Sequence, residues 1–253
     1  MGLSLDAAGL AMVAAIFVLA GVVKGVLGMG MPTILLALLT ATLGLPVAMA
    51  LMLVPTVVTN LWQALRGGHL LALCRRLWPF LLTASLAVWP GVWVLASVNA
   101  RWLSLLLGGL LMLYAVMNLR RRSLRLVGNP AQACVTGALN GVLTGMTGSS
   151  VFPGVPYLQA IGLPRDALVQ AMGLLFSLST LSLALALNER ALLSAELLGG
   201  SLVAVVPAFI GMGLGQWWRR RLSEARFRQV FLVGLLVLGA YLCLLSLLRP
   251  SMG

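Results

Sequence analysis

Long apolar runs separated by short polar stretches dominate the chain and predict membrane-spanning helices. A crossing needs roughly 20 apolar residues. Eight apolar segments approach or reach that length: 7–27, 46–65, 77–97, 102–119, 130–147, 165–187, 195–216 and 227–247. The pattern therefore predicts an all-α polytopic membrane protein with about eight transmembrane helices.

Two of the apolar stretches are interrupted by closely spaced glycines and end in proline. The first occupies residues 21–32 and the second residues 137–153. Each leads into a segment too short for a full crossing, at 32–43 and 151–161. Apolar segments of about 10–14 residues are more typical of re-entrant segments or half-helices. We therefore expect one Gly-broken re-entrant or half-helix segment in each half of the chain.

Landmarks recur in the same order in the two halves, which predicts an internal repeat. They are the frame Gly-x-x-x-Gly-Val-Leu, at Gly21 and Gly137, and the tripeptide Gly-Leu-Pro, at residues 44–46 and 162–164. Within the first frame Lys24 is matched by Asn140. We therefore divide one integral membrane domain into a first repeat, 1–125, and a second repeat, 126–253.

The distribution of basic residues predicts the orientation of these repeats. Arginines cluster in loops that the positive-inside rule places in the cytoplasm: Arg66, Arg75, Arg76, Arg120, Arg121, Arg122, Arg125, Arg165, Arg219, Arg220, Arg221, Arg226 and Arg228. Only Arg101, Arg190 and Arg249 then lie outside, and Lys24 lies in the membrane. The first repeat starts outside and the second starts inside, so the repeats are predicted to be inverted, as in many secondary carriers.

Composition excludes several classes of protein. Only 9% of the residues are charged and 61% are hydrophobic, whereas a soluble domain has about 25% charged residues. The net charge of +12 reflects the arginine-rich loops and does not predict nucleic-acid binding. The three cysteines are far apart and His69 is the only histidine, so we expect no cofactor and no metal site, and not an enzyme.

The broken stretches carry the candidate binding chemistry. Irregular backbone at membrane depth survives where protein or a water-filled cavity surrounds it, and half-helices would aim positive N-terminal ends at an anion. A buried Lys24 would attract an anion, although snorkelling to the outer surface is the alternative. The predicted substrate-binding residues are Lys24, Gly28, Gly30, Asn140, Thr144, Gly148, Ser149, Ser150 and Gln170.

Structural explanations compete with these assignments. Close helix packing of the small-xxx-small kind explains Gly21 and Gly25, but it explains poorly the denser pairs Gly28/Gly30 and Gly145/Gly148. Serine and threonine often bond back within their own helix, and that is our expectation for three further hydroxyl residues, Ser177, Ser179 and Thr180.

The acidic residues indicate the direction of transport. Asp6, Asp166, Glu189, Glu196 and Glu224 all fall at or near span ends, whereas proton and cation carriers place acids within spans. A monoanion leaving a cell gains roughly 2.3 kcal/mol per 100 mV of inside-negative potential. Export of an anion would therefore need no coupling group, and uptake would have at best Glu196.

The glycine pattern resembles that of the sulfite exporter TauE/SafE family, also called the 4-toluene sulfonate uptake permease family. The matching residues are Gly21, Gly25, Gly28, Gly30 and Pro32 in the first copy and Gly137, Gly141, Gly145, Gly148 and Pro153 in the second. Where the family often has three consecutive glycines, Met29 and Met31 interrupt the first copy and Ser149-Ser150 stand in the second. The resemblance implies transport of sulfur-containing anions, such as sulfite or sulfonates, across the bacterial inner membrane.

These patterns predict a secondary transporter, in the exporting direction, for a small anion bound at the midplane between the repeats, and the resemblance implies that this anion contains sulfur. An anion channel and an uptake permease for another small organic anion are the alternatives, and a membrane enzyme or a scaffold subunit fits less well. The predicted partners are the anion and the lipid bilayer, no nucleic acid, and a second copy of the chain if the carrier is a homodimer.

Overall fold

The computed structural model describes residues 6–120, 128–219, 221 and 223–248. Over these residues the chain is entirely helical and contains no strand, which confirms the all-α prediction. The helices are α1 (Ala7–Leu27), α2 (Met31–Leu43), α3 (Leu45–Leu65), α4 (Leu70–Leu86), α5 (Val88–Ser97), α6 (Ala100–Leu119), α7 (Pro130–Thr147), α8 (Gly154–Ala160), α9 (Arg165–Glu189), α10 (Ala195–Val203), α11 (Val205–Arg219) and α12 (Glu224–Leu248). The predicted repeat boundary at 125/126 and the side chains of Arg121, Arg122, Arg125, Arg220 and Arg249 lie outside the described residues.

Seven helical segments in the described part of the chain are long and apolar enough to cross a membrane, one fewer than the roughly eight predicted. Two of them are compound: α4 and α5 make one segment, Leu70–Ser97, and α10 and α11 make another, Ala195–Arg219. Helix α7 is not among the seven, because glycines, threonines and the amides of Gln132 and Asn140 lower its hydropathy. The chain is a multi-pass membrane protein.

Helices α1 and α7 begin and end in the same way. Each starts with an N-cap whose side chain accepts a hydrogen bond from the backbone, Asp6 from Gly9 N and Asn129 from Gln132 N. Such caps satisfy N–H groups that have no partner within the helix. Each ends at a left-handed glycine, Gly28 with φ 74° and Gly148 with φ 76°. Glycine adopts this conformation without the steric cost that a Cβ would bring.

Both compound spans are interrupted near a proline, and the sequence analysis missed this. Helix α4 ends at Leu86, four residues before Pro90, and α10 ends at Val203, four residues before Pro207. A proline lacks the N–H that would bond to the carbonyl four residues back, and its ring clashes with that carbonyl. The helix therefore stops at that residue in both spans.

The stretch 66–76, which we predicted as a loop, is only partly one. Helix α4 begins at Leu70, so the second half of the predicted loop is helical. The sequence Leu-Leu-Ala-Leu at the start of this helix consists of good helix formers. Within the helix, Arg76 Nη2 donates a hydrogen bond to Ile161 O at 3.0 Å.

The chain divides into two compact units that do not coincide with the predicted repeats. The first unit contains Met1–Pro55, Ala100–Arg120 and Leu193–Gly253, and the second contains Thr56–Asn99 and Arg121–Leu192. Each unit therefore takes helices from both halves of the sequence. The division into repeats at 125/126 stays a prediction, since contacts within a unit do not test it.

In the first unit, α1 packs along α11 with the two backbones in contact. A Cβ on Gly21 would overlap Ala208 O, and one on Gly25 would overlap Met212 O. Residue numbers rise together on both helices, so α1 and α11 run parallel. The packing interpretation of Gly21 and Gly25 is thereby supported, since any larger side chain would force the helices apart.

In the second unit, α7 makes the corresponding contact with α4 and α5. A Cβ on Gly141 would overlap Ala84 O, and one on Gly145 would overlap Val88 O. Our expectation that packing explains Gly145 poorly is therefore wrong. The contact between Gly145 and the Val88 backbone could not be predicted from the sequence, because the two residues are 57 positions apart.

Candidate functional site

Asn140 is the central residue of a buried polar group at the end of α7. Its side chain is fully buried, and its Oδ1 accepts a hydrogen bond from Gly154 N at 2.9 Å. Its Nδ2 has no hydrogen-bond partner. A buried donor left without an acceptor costs about 1–3 kcal/mol, which makes this amide a candidate binding group.

Hydroxyl groups surround Asn140 and form, with it, what we call the amide–hydroxyl cluster: Asn140, Thr144, Thr147, Ser149 and Ser150. Thr144 Oγ1 donates to Asn140 O at 2.7 Å and lies 3.0 Å from Ser150 Oγ. Ser149 N donates to Thr147 Oγ1 at 3.3 Å. Every member is at most 6% exposed. The left-handed turn at Gly148 brings Ser149 and Ser150 back onto the face of α7 that carries Thr144.

Two hydroxyls on α9 differ from our expectation. The hydroxyl oxygens of Ser177 and Ser179 are buried without a hydrogen-bond partner, although we expected bonds within their own helix. Ser179 lies one turn beyond Leu175, and a Cβ added at Gly154 would meet both Leu175 Cδ2 and Asn140 Oδ1. Ser179 is therefore a candidate site residue that the sequence analysis missed, because its spacing is equally typical of a back-bonded serine.

Gln170 has a different role from that of Asn140. Its Nε2 donates to Ala64 O at 2.7 Å and its Oε1 accepts from His69 N at 3.0 Å. Both ends of the carboxamide are thus bound to backbone at the end of α3 and in the following turn. The same side chain leaves no room for a Cβ at Gly67. Gln170 therefore stabilises the turn after α3, and its two side-chain hydrogen bonds go to that region and not to the amide–hydroxyl cluster.

The first unit holds the other predicted site residues. Lys24 lies in the last turn of α1 and is only 4% exposed. A cation at a helix C-terminus is favoured by the helix dipole, so Lys24 has a structural role that does not depend on the predicted anion binding. Gly28 closes α1, and Gly30, with φ 95°, is the N-cap of α2. Because glycine has no side chain, no cap group of its own occupies the positive end of α2.

The acidic residues discussed in the sequence analysis lie at or near helix ends. Asp6 caps α1, Asp166 lies in the first turn of α9, and Glu196 lies in the first turn of α10. Glu189 ends α9 and accepts a hydrogen bond from Trp89 Nε1 at 2.7 Å. Among the described residues, no group of three or more His, Cys, Asp or Glu side chains is arranged to hold a metal ion.

Comparison with known families gives an independent result. The family model described as sulfite exporter TauE/SafE matches residues 13–242. The chain belongs to the sulfite exporter TauE/SafE family. The TauE/SafE match runs from α1 into α12 and includes Lys24 and the whole amide–hydroxyl cluster. Comparisons with curated proteins and with solved structures found no match.

Membership of the TauE/SafE family confirms the resemblance stated from the glycine pattern. It makes this chain a membrane transporter of the anion-exporter type. TauE/SafE is a transporter family. The seven candidate spans agree with this class.

Proposed function

We propose that the protein is a secondary carrier that exports a small sulfur-containing oxyanion, such as sulfite or an organosulfonate. The observation that carries this proposal is the buried Asn140 amide, whose Oδ1 is fixed by Gly154 N while Nδ2 has no partner. An oxyanion presents acceptors on several faces, and Nδ2 supplies two N–H donors. Binding would remove the cost of the unsatisfied amide and add hydrogen bonds to a charged group, which are worth about 1.5–3 kcal/mol each.

The amide–hydroxyl cluster supplies donors without a formal charge. In the proposed site Ser149, Ser150 and Ser179 turn their hydroxyls toward the anion, and Thr144 holds Ser150 in position. Neutral donors bind a monoanion weakly enough to release it, which a carrier requires. Gln170, which we predicted as a ligand, acts in this proposal as a positioning residue for the turn after α3.

Lys24 is proposed as a second anion-attracting group, in the first broken segment. Its burial near the end of α1 supports a role beyond anchoring, because a charge within a span is costly and usually functional. The matched ends of α1 and α7, and the matched proline breaks at Pro90 and Pro207, support the inverted-repeat arrangement that we propose for the bacterial inner membrane. Alternating access would follow from rocking of one repeat against the other.

Export is proposed over uptake on energetic grounds. A monoanion moving outward gains roughly 2.3 kcal/mol per 100 mV of inside-negative potential. The carboxylates placed by the structure lie at helix ends, where they are poorly positioned to couple inward movement to a cation.

Efflux from proteoliposomes tests the proposal. Vesicles loaded with sulfite, thiosulfate, taurine or acetate should release the sulfur oxyanions with saturable rates. Asn140→Leu should lower the specificity constant at least about tenfold, since it removes a hydrogen bond to a charged group. Non-saturating flux would indicate a channel, and preferential acetate release would indicate a permease for another organic anion.

The matched control is Asn118→Leu. Asn118 is also a helical amide, but its Nδ2 donates to Tyr114 O and its Oδ1 accepts from Arg228 Nη2. Both ends of Asn118 are therefore already used by the protein. If the two variants reduce transport equally while both remain folded, Asn140 is not a ligand and the proposed site is wrong.

A further inference from the structure

A cavity in the first unit shares no lining residue with the amide–hydroxyl cluster and is not used by the proposed transport mechanism. It has a volume of about 270 Å³ and lies between the first half of α1 and the span made of α10 and α11. The lining is apolar apart from one carboxylate, that of Glu196. The apolar lining residues include Leu10, Ala14, Leu51, Gly200 and Val203. A cavity with this composition suits a ligand with a long apolar part and a single cationic group.

The cavity has the depth of one membrane leaflet. Its lining runs along the compound span from Glu196 to Pro207, and at 1.5 Å per residue this distance is roughly 16 Å. The hydrocarbon core of a bilayer is about 30 Å thick, so half of it is about 15 Å. The length of the cavity therefore matches an extended acyl chain that enters from one membrane surface.

The cavity opens to the surface that meets lipid. Leu10 and Val203, which line it, are 59% and 73% exposed, and both belong to candidate membrane spans. Exposed leucine and valine on a membrane span face hydrocarbon. A lipid chain can therefore reach the cavity sideways from the bilayer.

Glu196 lies at the end of the cavity where a lipid headgroup would be. It is the second residue of the candidate span Ala195–Arg219 and is solvent-exposed. The first residues of a span lie at the membrane–water interface, where headgroups are found. A carboxylate at this depth attracts an ammonium group and repels an anionic headgroup.

We propose that this cavity binds one phospholipid with a primary-ammonium headgroup, with one acyl chain between α1 and α10 and the ammonium group at Glu196. The lipid would fill a gap in the packing of the first unit without entering the transport reaction. This inference is independent of the proposed function, because it concerns retention of a lipid and not movement of an anion.

Native mass spectrometry of the full chain, released from nanodiscs of equal phosphatidylethanolamine, phosphatidylcholine and phosphatidylglycerol, tests the proposal. The protein should retain one phosphatidylethanolamine two- to fivefold more often than phosphatidylglycerol, a range typical of one partly exposed ion pair. Glu196→Gln should abolish this preference, whereas Glu189→Gln, at a span end outside the cavity, should preserve it. Equal retention of the three lipids by the unchanged protein would overturn the proposal.

Two filling variants test the acyl-chain part. Gly200→Leu and Ala14→Leu should each lower lipid retention at least about threefold, because both positions line the cavity. A side chain at Gly200 would be directed at Leu51, with Cβ 3.1 Å from its Cδ2. Gly199→Leu is the matched control, since a Cβ at Gly199 meets nothing within 4 Å. If retention is the same in all three variants, or if filling the cavity instead dissociates a dimer, the cavity does not hold a lipid.

Discussion

The two broken segments share a backbone design and differ in chemistry. Helices α1 and α7 both end at a left-handed glycine whose N–H bonds to a carbonyl four residues back, Gly28 to Lys24 and Gly148 to Thr144, each at 2.7 Å. Near the end of α1 the buried polar residue is a lysine, whereas α7 carries an asparagine with threonine and serine neighbours. The same turn therefore presents a charge in one segment and oriented neutral donors in the other.

This difference indicates a division of roles. A lysine ammonium acts as a point charge with rotatable donors, so it attracts an anion with little regard to the anion's shape. The Asn140 amide is held in one orientation by Gly154, so it can distinguish anions by where their acceptors lie. Under the proposed function, Lys24 supplies affinity and Asn140 supplies selectivity.

The largest expected effect is on folding, and it tests the close backbone contacts that Gly25 makes with α11 and Gly145 makes with α5. Gly25→Leu and Gly145→Leu should each abolish folding, because a side chain would overlap the backbone of the neighbouring helix. Size-exclusion chromatography of the detergent-solubilised protein measures this. Gly213→Leu and Gly109→Leu are the controls, since a Cβ there meets nothing within 4 Å. A monodisperse Gly25→Leu or Gly145→Leu protein at normal yield would contradict the close approach of the two helix backbones at that glycine.

The next effect separates charge from shape. Lys24→Met keeps the length of the side chain and removes the charge, so the apparent affinity for every transported anion should fall roughly 10- to 100-fold, the range for a charge-assisted hydrogen bond. Ratios between anions should change little. Arg101→Met, which removes a charge bonded to Leu247 O at 3.0 Å, is the control. Unchanged affinity for all anions would remove Lys24 from the site.

A smaller effect is expected from loosening the amide–hydroxyl cluster. Thr144→Val removes the hydroxyl that joins Asn140 O to Ser150 Oγ, and one neutral hydrogen bond corresponds to roughly two- to tenfold in transport. The ratio of sulfite to thiosulfate transport should shift as well, because the donors lose their fixed positions. Thr42→Val, whose hydroxyl bonds only within α2, should leave that ratio alone. A Thr144→Val protein with normal selectivity would contradict the selective role of this segment.

The smallest expected effect is a loss of thermal stability that should be equal for the glycines that end α1 and α7. Gly28→Ala and Gly148→Ala place a Cβ in left-handed backbone, which costs about 1–2 kcal/mol. For a chain of this size the melting temperature should fall by roughly 2–8 °C. Gly109→Ala, in a helix with open space around it, should not lower the melting temperature. Unequal losses at Gly28 and Gly148 would show that the two turns are not mechanically equivalent.

The sequence predicted local features of the fold well because hydropathy and glycine report on local structure. The first segment, 7–27, coincides with α1, and the short segment 32–43 coincides with α2 to within a residue. Membership of the TauE/SafE family also followed from the glycine spacing. The breaks at Leu86 and Val203 are also local, but the prolines alone could not have located them, because Pro55 and Pro79 lie inside uninterrupted helices.

Contacts between distant residues could not be predicted in the same way. Nothing in the spacing of α7 distinguishes Gly145, which packs on Val88, from Gly148, which closes the helix with a positive φ. The identical amide groups of Asn140 and Gln170 also looked alike in sequence. Only the position of Gly154 N shows that one amide keeps a free end, whereas Ala64 and His69 use both ends of the other.

The parallel contact between α1 and α11 has a consequence for biogenesis. Gly21 packs against Ala208, which is synthesised 187 residues later in the chain. At synthesis rates of about 5–20 residues per second, this delay is roughly 10–40 s. During that time the glycine-lined face of α1 lacks the α11 surface that covers it in the folded protein. Translation must therefore be nearly complete before α1 can make its native contact with α11.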